Sequence, residues 1–485
     1  MNKVPGLHHI VICTSDMKSQ IEFFTDKLGM ELQAQCFNTQ LRTGITIMVK
    51  AKNLTLLFIS IILTNGALAA SLTAFTHVNV ITMLDDKIRE DQTVLVSGDR
   101  IYSVGPNIEI PEKTIVINAR GKYLIPGLAE MHGHTPIPGG DASSQFVKDM
   151  MFLYIANGVT TVRGMLGAPG QLDLKKQIED GDLIGPTLYL AGPSFSGGSI
   201  TSEAQAISRV EKQVAEGWDL IKVHPGLTRP QYDAMATTAH RLGIRFGGHV
   251  PEDVGLVHAI KMGQHTFDHI DGYLQQLDFP DKQVNEAAMQ SLVALSRDAR
   301  VWIVPTLVLW NHVIGLGDAE EKRNWAENVY WPKPQVDRWY QSMKQRGGRG
   351  SLAEKRAYST ARSQLLLALY EGGVGILMGT DSPQIFSVPG FSIHREMAAM
   401  EDAGMSRYAV LASGTRNVAD YLQGSHSLGV IAPGHQADLI LTEDNPLVDL
   451  STISALSGVM VRGHWIPSSE INSKLKSIRD RMSRL

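Results

Sequence analysis

Residues Leu124 to His134 read LIPGLAEMHGH, an apolar run that closes on two histidines two positions apart. Positions i and i+2 of a β-strand share a face, so His132 and His134 turn both imidazoles to one side. That suits chelation of one cation. The alternative is two unrelated histidines, which a chain holding 16 of them can place two apart by chance. The runs that follow bear on the choice. GVTTVRG (158–164), TLYLAG (187–192), DLIKVH (219–224), IRFGGHV (244–250), HTFDHI (265–270), VWIVPTL (301–307) and VGILMGTD (374–381) are strand-like, end in polar residues, and alternate with helical stretches. Regular β-α alternation predicts an α/β fold with a parallel (β/α)₈ barrel, although a doubly wound open sheet would read much the same. A barrel gathers its active site at the carboxyl ends of its strands, and there the polar residues converge.

Four further positions carry chemistry. Lys222 lies in mid-strand with Leu220 and His224 on its own face, and an unpaired ammonium inside a barrel would cost several kcal/mol. A salt bridge or a lysine reaching the surface would answer that. So would a neutral amine, its pKa depressed by burial and nearby cations, that adds carbon dioxide and becomes a carbamate able to bridge two metals. His249 and His269 close successive strands twenty residues apart. His265, four residues before His269, reads as structural. Asp381 precedes Ser382 and Pro383, where an aspartate is ordinarily a cap or turn residue. As the last of a set of strand-end ligands, it also stands where a general base for an activated water belongs.

The flanks read differently. HVNVITML (77–84), TVLVSGDRIYSVG (93–105) and KTIVINAR (113–120) are short β-like runs, and SLGVIAPGHQADLILTEDN (427–445) with VMVRGHWI (459–466) repeats that texture near the carboxyl end. We expect one small β-sandwich built from 71–125 and 427–468, with the barrel of 126–426 inserted between them and a solvated basic helix at 469–485. Ahead of it, MVKAKNLTLLFISIILTNGALAAS (48–71) has the lysines, apolar core and small-residue close of a secretory signal, the alternative being a buried strand. Its apolar run is too short for a bilayer, which needs about 20 residues, so no stable membrane anchor is expected. Export to the periplasm or outside follows if translation starts at Met48, and a cytoplasmic location if residues 1–47 block it.

With 45 basic and 49 acidic residues, the chain has no field that would advertise nucleic acid. Its two cysteines, Cys13 and Cys36, lie at the amino end, so any downstream metal must be held by histidine and carboxylate.

The order HxH, Lys, His, His, Asp, flanked by PGL and GTDSP, resembles the amidohydrolase superfamily over nearly all of 73–466. GHVPEDVG (248–255), FDHIDGY (267–273), HREMAAMEDAG (394–404) and the closing GVIAPGHQADLIL (429–441) fit the style of its imidazolonepropionase-like branch, which includes prolidase-type and Xaa-Arg dipeptidases. The resemblance implies that His132, His134 and Asp381 hold a more buried divalent cation, that His249 and His269 hold a more exposed one, and that carboxylated Lys222 bridges them. Zinc suits such a site. Glu130, Gly164 and Asp268 depart from the family's commonest residues at those places, which bears on the groups that orient the ligands. Residues 6–32, GLHHIVICTSDMKSQIEFFTDKLGMEL, resemble the opening unit of the glyoxalase-type vicinal-oxygen-chelate family, where His9 would be a ligand; without the later strands, the stretch reads as a non-functional fragment.

The expected activity is hydrolysis of an amide C–N bond of a dipeptide or N-acyl amino acid by a hydroxide shared between two cations. Lactone or organophosphate ester hydrolysis at the same site is the alternative, and a metal-stabilised binding protein without turnover is the reading from another class. Arg163, His224 and Tyr273 lie near strand ends where they could face substrate, Arg163 or His224 to meet a carboxylate, although a structural salt bridge is at least as good a reading of Arg163. Trp310 to Gly350, with four tryptophans, reads as an insertion that could form a helical lid or a peripheral or dimer contact.

Overall fold

The computed structural model describes residues 31–39, 42–50, 72–135, 144–280, 285–422 and 427–485. The chain divides into two compact units, Met1–Ala70 and Ser71–Leu485. In the first, β1 (Glu31–Thr39) pairs antiparallel with β2 (Arg42–Lys50), Glu31 opposite Lys50. His9 and the apolar run of 54–63 lie outside the described residues. Among the described residues, no helix is long and apolar enough to cross a membrane.

The second unit is α/β. Both ends of the chain supply its antiparallel part. β3 (Leu72–Ile81), β4 (Ile88–Ser97), β5 (Arg100–Gly105), β6 (Ile115–Asn118) and β7 (Tyr123–Pro126) join β16 (Leu439–Thr442), β17 (Leu456–Val461) and β18 (His464–Pro467). Eight strands pair in the order β18-β17-β16-β7-β3-β4-β5, with β6 branching from β3. Alternate residues of these strands meet in a separate small core, where Phe75, Val78, Val94, Leu124, Leu439 and Met460 pack together. Alternation of this kind is what one buried sheet face demands.

Eight parallel strands make up the rest. β8 (Leu128–Gly133), β9 (Val159–Gly164) and β10 (Thr187–Leu190) form one sheet. β11 (Leu220–Val223), β12 (Arg245–Gly248), β13 (Thr266–Asp268), β14 (Trp302–Val304) and β15 (Gly375–Ile376) form the other. Backbone bonds cross both seams. Gly192 N donates to Leu220 O (3.1 Å) and Phe195 N to Lys222 O (2.9 Å). On the far side, Met131 N donates to Met378 O (2.8 Å) and Asp381 N to His132 O (2.6 Å). Close approach there requires Gly379, because a Cβ on it would stand 2.8 Å from His132 N and 2.6 Å from Val304 Cγ1.

Helices follow the strands and cover their outer faces. Gln145–Ala156, between β8 and β9, is buried along most of its length, and Arg229–Leu242 carries a reciprocal cap between Thr228 and Gln231. After β14 come helices Leu307–Val313, Ala319–Arg323, Lys333–Gly347 and Leu352–Glu371. Helix Ser468–Met482 returns at the carboxyl end, where Arg481 grips buried Asp149 of the helix Gln145–Ala156 at 2.6 and 2.7 Å.

Candidate metal centre

β8 carries His132 inward and fully buried, and Asp268 at the end of β13 meets it: Nδ1 of His132 lies 2.8 Å from Asp268 Oδ2. Burial alone would raise the Asp268 carboxyl, but Arg163 and His132 hold it well below the usual carboxylate range. An ionised carboxylate can only accept, so the His132 proton sits on Nδ1 and the lone pair of Nε2 faces the centre. At 2.5 Å from Asp271 Oδ2, His249 Nδ1 is placed in the same way. His269 Nδ1 stands 2.8 Å from Thr306 Oγ1. Neither Asp271 nor Thr306 was anticipated. Asp271 is only two positions beyond His269, whereas Thr306 lies 37 residues away on the next strand's exit and leaves no local signal.

His269 and Asp381 have φ of +64° and +60°, backbone that non-glycine residues seldom adopt. Four residues apart in an unbroken strand, His265 and His269 would share one face, and the positive φ of His269 ends that alternation. By strand alternation, His269 would follow Phe267 towards the helices; the reversal after Asp268 swings it inward. His265 stays outside, its ring 5.9 Å from Phe246 and 6.5 Å from His240.

The inward groups crowd together. His132, His269 and Asp381 each present a ligand atom within 4.8 Å of the others, all three residues buried. His134 Nε2 lies 2.8 Å from Asp381 Oδ1, and the Nε2 atoms of His132 and His269 each stand 3.7 Å from an Asp381 oxygen. The His249 ring centre is 4.6 Å from that of His269, and His224 stacks on His249 at 5.1 Å. Lys222 Nζ completes the cluster, 3.2 Å from His132 Nε2 and 3.8 Å from Asp268 Oδ2.

The charges follow from burial. His132 is pushed down to about 4, first by desolvation and then by Lys222, and desolvation takes His269 well below its ordinary value. Lys222, entirely buried, is also lowered by desolvation. Although burial would raise Asp381, the neighbouring His132 and His134 keep it ionised, below the usual range. The neutral imidazoles of His132 and His269 therefore turn their Nε2 lone pairs on the ionised Asp381 carboxylate at 3.7 Å, with a lysine biased towards the free amine beside them. That distance is too long for hydrogen bonds. Such a donor set fits divalent cations, which take imidazole nitrogen and carboxylate oxygen at about 2.0–2.2 Å.

Glu130 works behind these groups. Its carboxylate accepts from His132 N (3.0 Å) and Thr380 N (2.8 Å), tying β8 to the segment that carries Asp381, while burial pushes its pKa up to about 8.

Of the two readings of Arg163 the structure shows the salt bridge, and the substrate-facing expectation for Tyr273 is corrected. Arg163 is 1% exposed and committed to Asp268, the Met131 carbonyl, Thr266 and Tyr421. As an inward residue of a central strand, it plugs the interior beneath the cluster. Tyr273 is fully buried against Phe267, with its hydroxyl 2.7 Å from Ser296 Oγ, because it lies on the helix side. His224 does border the cluster, but burial and the nearby Lys222 push it down to about 3, so it offers no positive charge to a carboxylate.

Known proteins resemble this chain in sequence and fold. The model of the Amidohydrolase family matches residues 123–466. The chain belongs to the amidohydrolase family. A curated 5-methylthioadenosine/S-adenosylhomocysteine deaminase of Caldanaerobacter subterraneus subsp. tengcongensis is 23% identical over 82% of this chain and 91% of its own. Among solved structures, a bottromycin amidohydrolase superposes with a TM-score of 0.67 at 21% identity, over 84% of this chain and 90% of that one. A Xaa-Pro dipeptidase with methionine in its active site superposes at 0.62 and 21% identity, over 82% and 100%. At these identities the structural likeness speaks to fold, and with the family it makes this amidohydrolase a hydrolytic enzyme. A second model, of the glyoxalase/bleomycin resistance protein/dioxygenase superfamily, matches residues 6–97, further than the opening unit alone. Its final part covers β3 and β4, which pair within the amidohydrolase's own sheet.

Proposed function

We propose that this amidohydrolase hydrolyses the C–N bond of a dipeptide or N-acyl amino acid with two divalent cations, zinc by the chemistry of the donors. The observation that carries the reading is the convergence of His132, His269 and Asp381 within 4.8 Å. His132, His134 and Asp381 would hold one cation and His249 and His269 the other. Lys222 would bridge them as a carbamate: its neutral amine adds to carbon dioxide, forming an N–C bond and releasing one proton. Its complete burial, with no carboxylate nearer than 3.8 Å among the described residues, supports that chemistry over an ordinary salt bridge. Backbone bonds across both seams favour a closed (β/α)₈ barrel, and the branch at β3 favours a sheet folded over as a sandwich. Domain limits at 71–125, 126–426 and 427–468, and export directed by 48–70, belong to the same proposal.

When bound, the cations would acidify a water and polarise the scissile carbonyl. The chain supplies the rest. Ionised Asp381 takes the water's proton on a carboxylate oxygen and returns it to the leaving nitrogen, so that amide and water become an acid and an amine. Asp268 and Asp271 keep two imidazoles in the tautomer that faces the centre. The test is elemental analysis with a screen of Xaa-Pro, Xaa-Arg and N-acyl amino-acid substrates, for wild type and Lys222→Ala. Two metals per chain in the wild type, with activity at least ~10²-fold lower in the variant, is the expected result. An active wild type free of metal would reject the reading.

A further inference from the structure

A second charged group lies at the same end of the strands and takes no part in the cluster. Arg362, on helix Leu352–Glu371, is 3% exposed. Its Nη2 donates to the carbonyl of Pro305, just past the end of β14, at 2.9 Å. The guanidinium lies 5.0 Å from the centre of the Trp310 ring and 5.9 Å from that of Tyr358. Among the described residues, no carboxylate forms an ion pair with it, and its Nε–H is buried without a hydrogen-bond partner. The acids that influence it are committed elsewhere: Asp271 to His249, and Glu396 to the backbone N–H groups of Leu307 and Val308. One neutral carbonyl, the neutral hydroxyl of Tyr358 and two aromatic faces do not balance a buried guanidinium, which costs several kcal/mol when left without a counter-ion.

The neighbour repeats the pattern. Trp310 Nε1–H is also buried and unpartnered, and its ring stands edge-on to His269 at 6.1 Å. Two orphaned donors thus belong to one stacked Arg362–Trp310 pair, and the Trp310 ring borders a residue of the candidate metal centre. Both are N–H groups, so their missing partner is an acceptor, and the fixed charge of Arg362 makes it an anion. Resting on the hydrolase reading above, we infer that Arg362 and Trp310 bind the carboxylate of the substrate's amino-acid portion. This assigns the carboxylate-recognising role that Arg163, neutralised by Asp268, and His224 do not fill. The helices between β14 and β15 thereby contribute specificity: Trp310 stands on the first of them and Arg362 on the last.

The test is calorimetric binding of N-acetyl-L-leucine and of its uncharged amide to the metal-loaded full chain, for wild type, Arg362→Gln and Trp310→Phe. Wild type is expected to bind the acid at least ~10-fold more tightly than the amide. That preference should vanish in Arg362→Gln and shrink several-fold in Trp310→Phe, which keeps the ring and loses the donor. A wild type indifferent to the charge, or variants that retain its preference or weaken acid and amide alike, would overturn the assignment. If Arg362→Gln does not fold, Trp310→Phe decides. Because the readout is binding, acid preference without hydrolysis of the substrate panel would sink the hydrolase proposal and leave the carboxylate site standing.

Discussion

Asp268 serves two partners with one carboxylate, receiving the Nδ1 proton of His132 and closing the buried bridge to Arg163. An aspartate can do both because Arg163, from β9, reaches across the interior to lie beside it. In Asp268→Asn the guanidinium would lose its counter-charge, and breaking a buried pair from one side costs about 3–5 kcal/mol. Metal affinity should fall about 10–100-fold as well, because the imidazole loses the group that fixes its tautomer. Chelator competition and urea unfolding on the same preparation measure the two effects. Unchanged metal affinity in a folded variant would show that His132 needs no orienting partner. The mutual placement of Lys222 and His132, 90 residues apart yet 3.2 Å from each other, belongs to this scale too. Each was legible as a strand-end residue, but nothing local marked them as neighbours.

Two elements have strict spatial demands. The segment Gly375–Asp381 approaches β8 so closely at Gly379 that an alanine methyl would meet backbone. Gly379→Ala is expected to cost about 1–3 kcal/mol, the usual range for overpacking, and to reduce bound metal, because the shift separates Asp381 from His132. Elemental analysis after gel filtration reads the second effect, and full metal occupancy would show that the seam is slack. In the antiparallel sheet, Asp438 accepts from Arg462 N (2.6 Å) and Gln436 Nε2 (2.7 Å), and burial pushes its pKa from 3.8 up to about 6. A raised carboxyl binds its proton more tightly when folded than when unfolded. Its contribution to stability is therefore complete below about pH 4 and is lost as pH rises through 6. That difference is at most ~3 kcal/mol. Urea unfolding of wild type and Asp438→Asn at pH 4 and pH 8 should show a gap between the two proteins that depends on pH, and a constant gap would refute the assignment.

At the scale of the molecule, Ser71–Leu485 is a compact unit that contains every residue of the candidate centre. Removing residues 1–70 should therefore leave metal content, hydrolysis and Tm of the remainder unchanged, as calorimetry and elemental analysis can establish. A truncated chain that fails to hold metal would assign residues 1–70 a part in folding. The helix Ser468–Met482 presents the opposite case. Arg481 ties it to Asp149 beside the β8-β9 connection, so the last turn of the chain is stitched to the first of the parallel units.

Legibility in the sequence followed the range of each interaction. Strand alternation is local, so the α/β pattern could be read from Leu124 to Asp381, and the amidohydrolase resemblance rested on the order of HxH, Lys, His, His and Asp along those runs. Return of the carboxyl end to the first strands was legible for the same reason, since both stretches share short β texture. Tertiary structure alone decided which carboxylate serves which imidazole. It also decided that positive-φ backbone turns His269 and Asp381 inward, that Arg163 and Tyr273 are consumed by the interior, and that Arg362 is left without an anion. Those outcomes depend on groups tens to hundreds of residues apart, whose meeting is set by packing of whole strands and helices rather than by any run of neighbours.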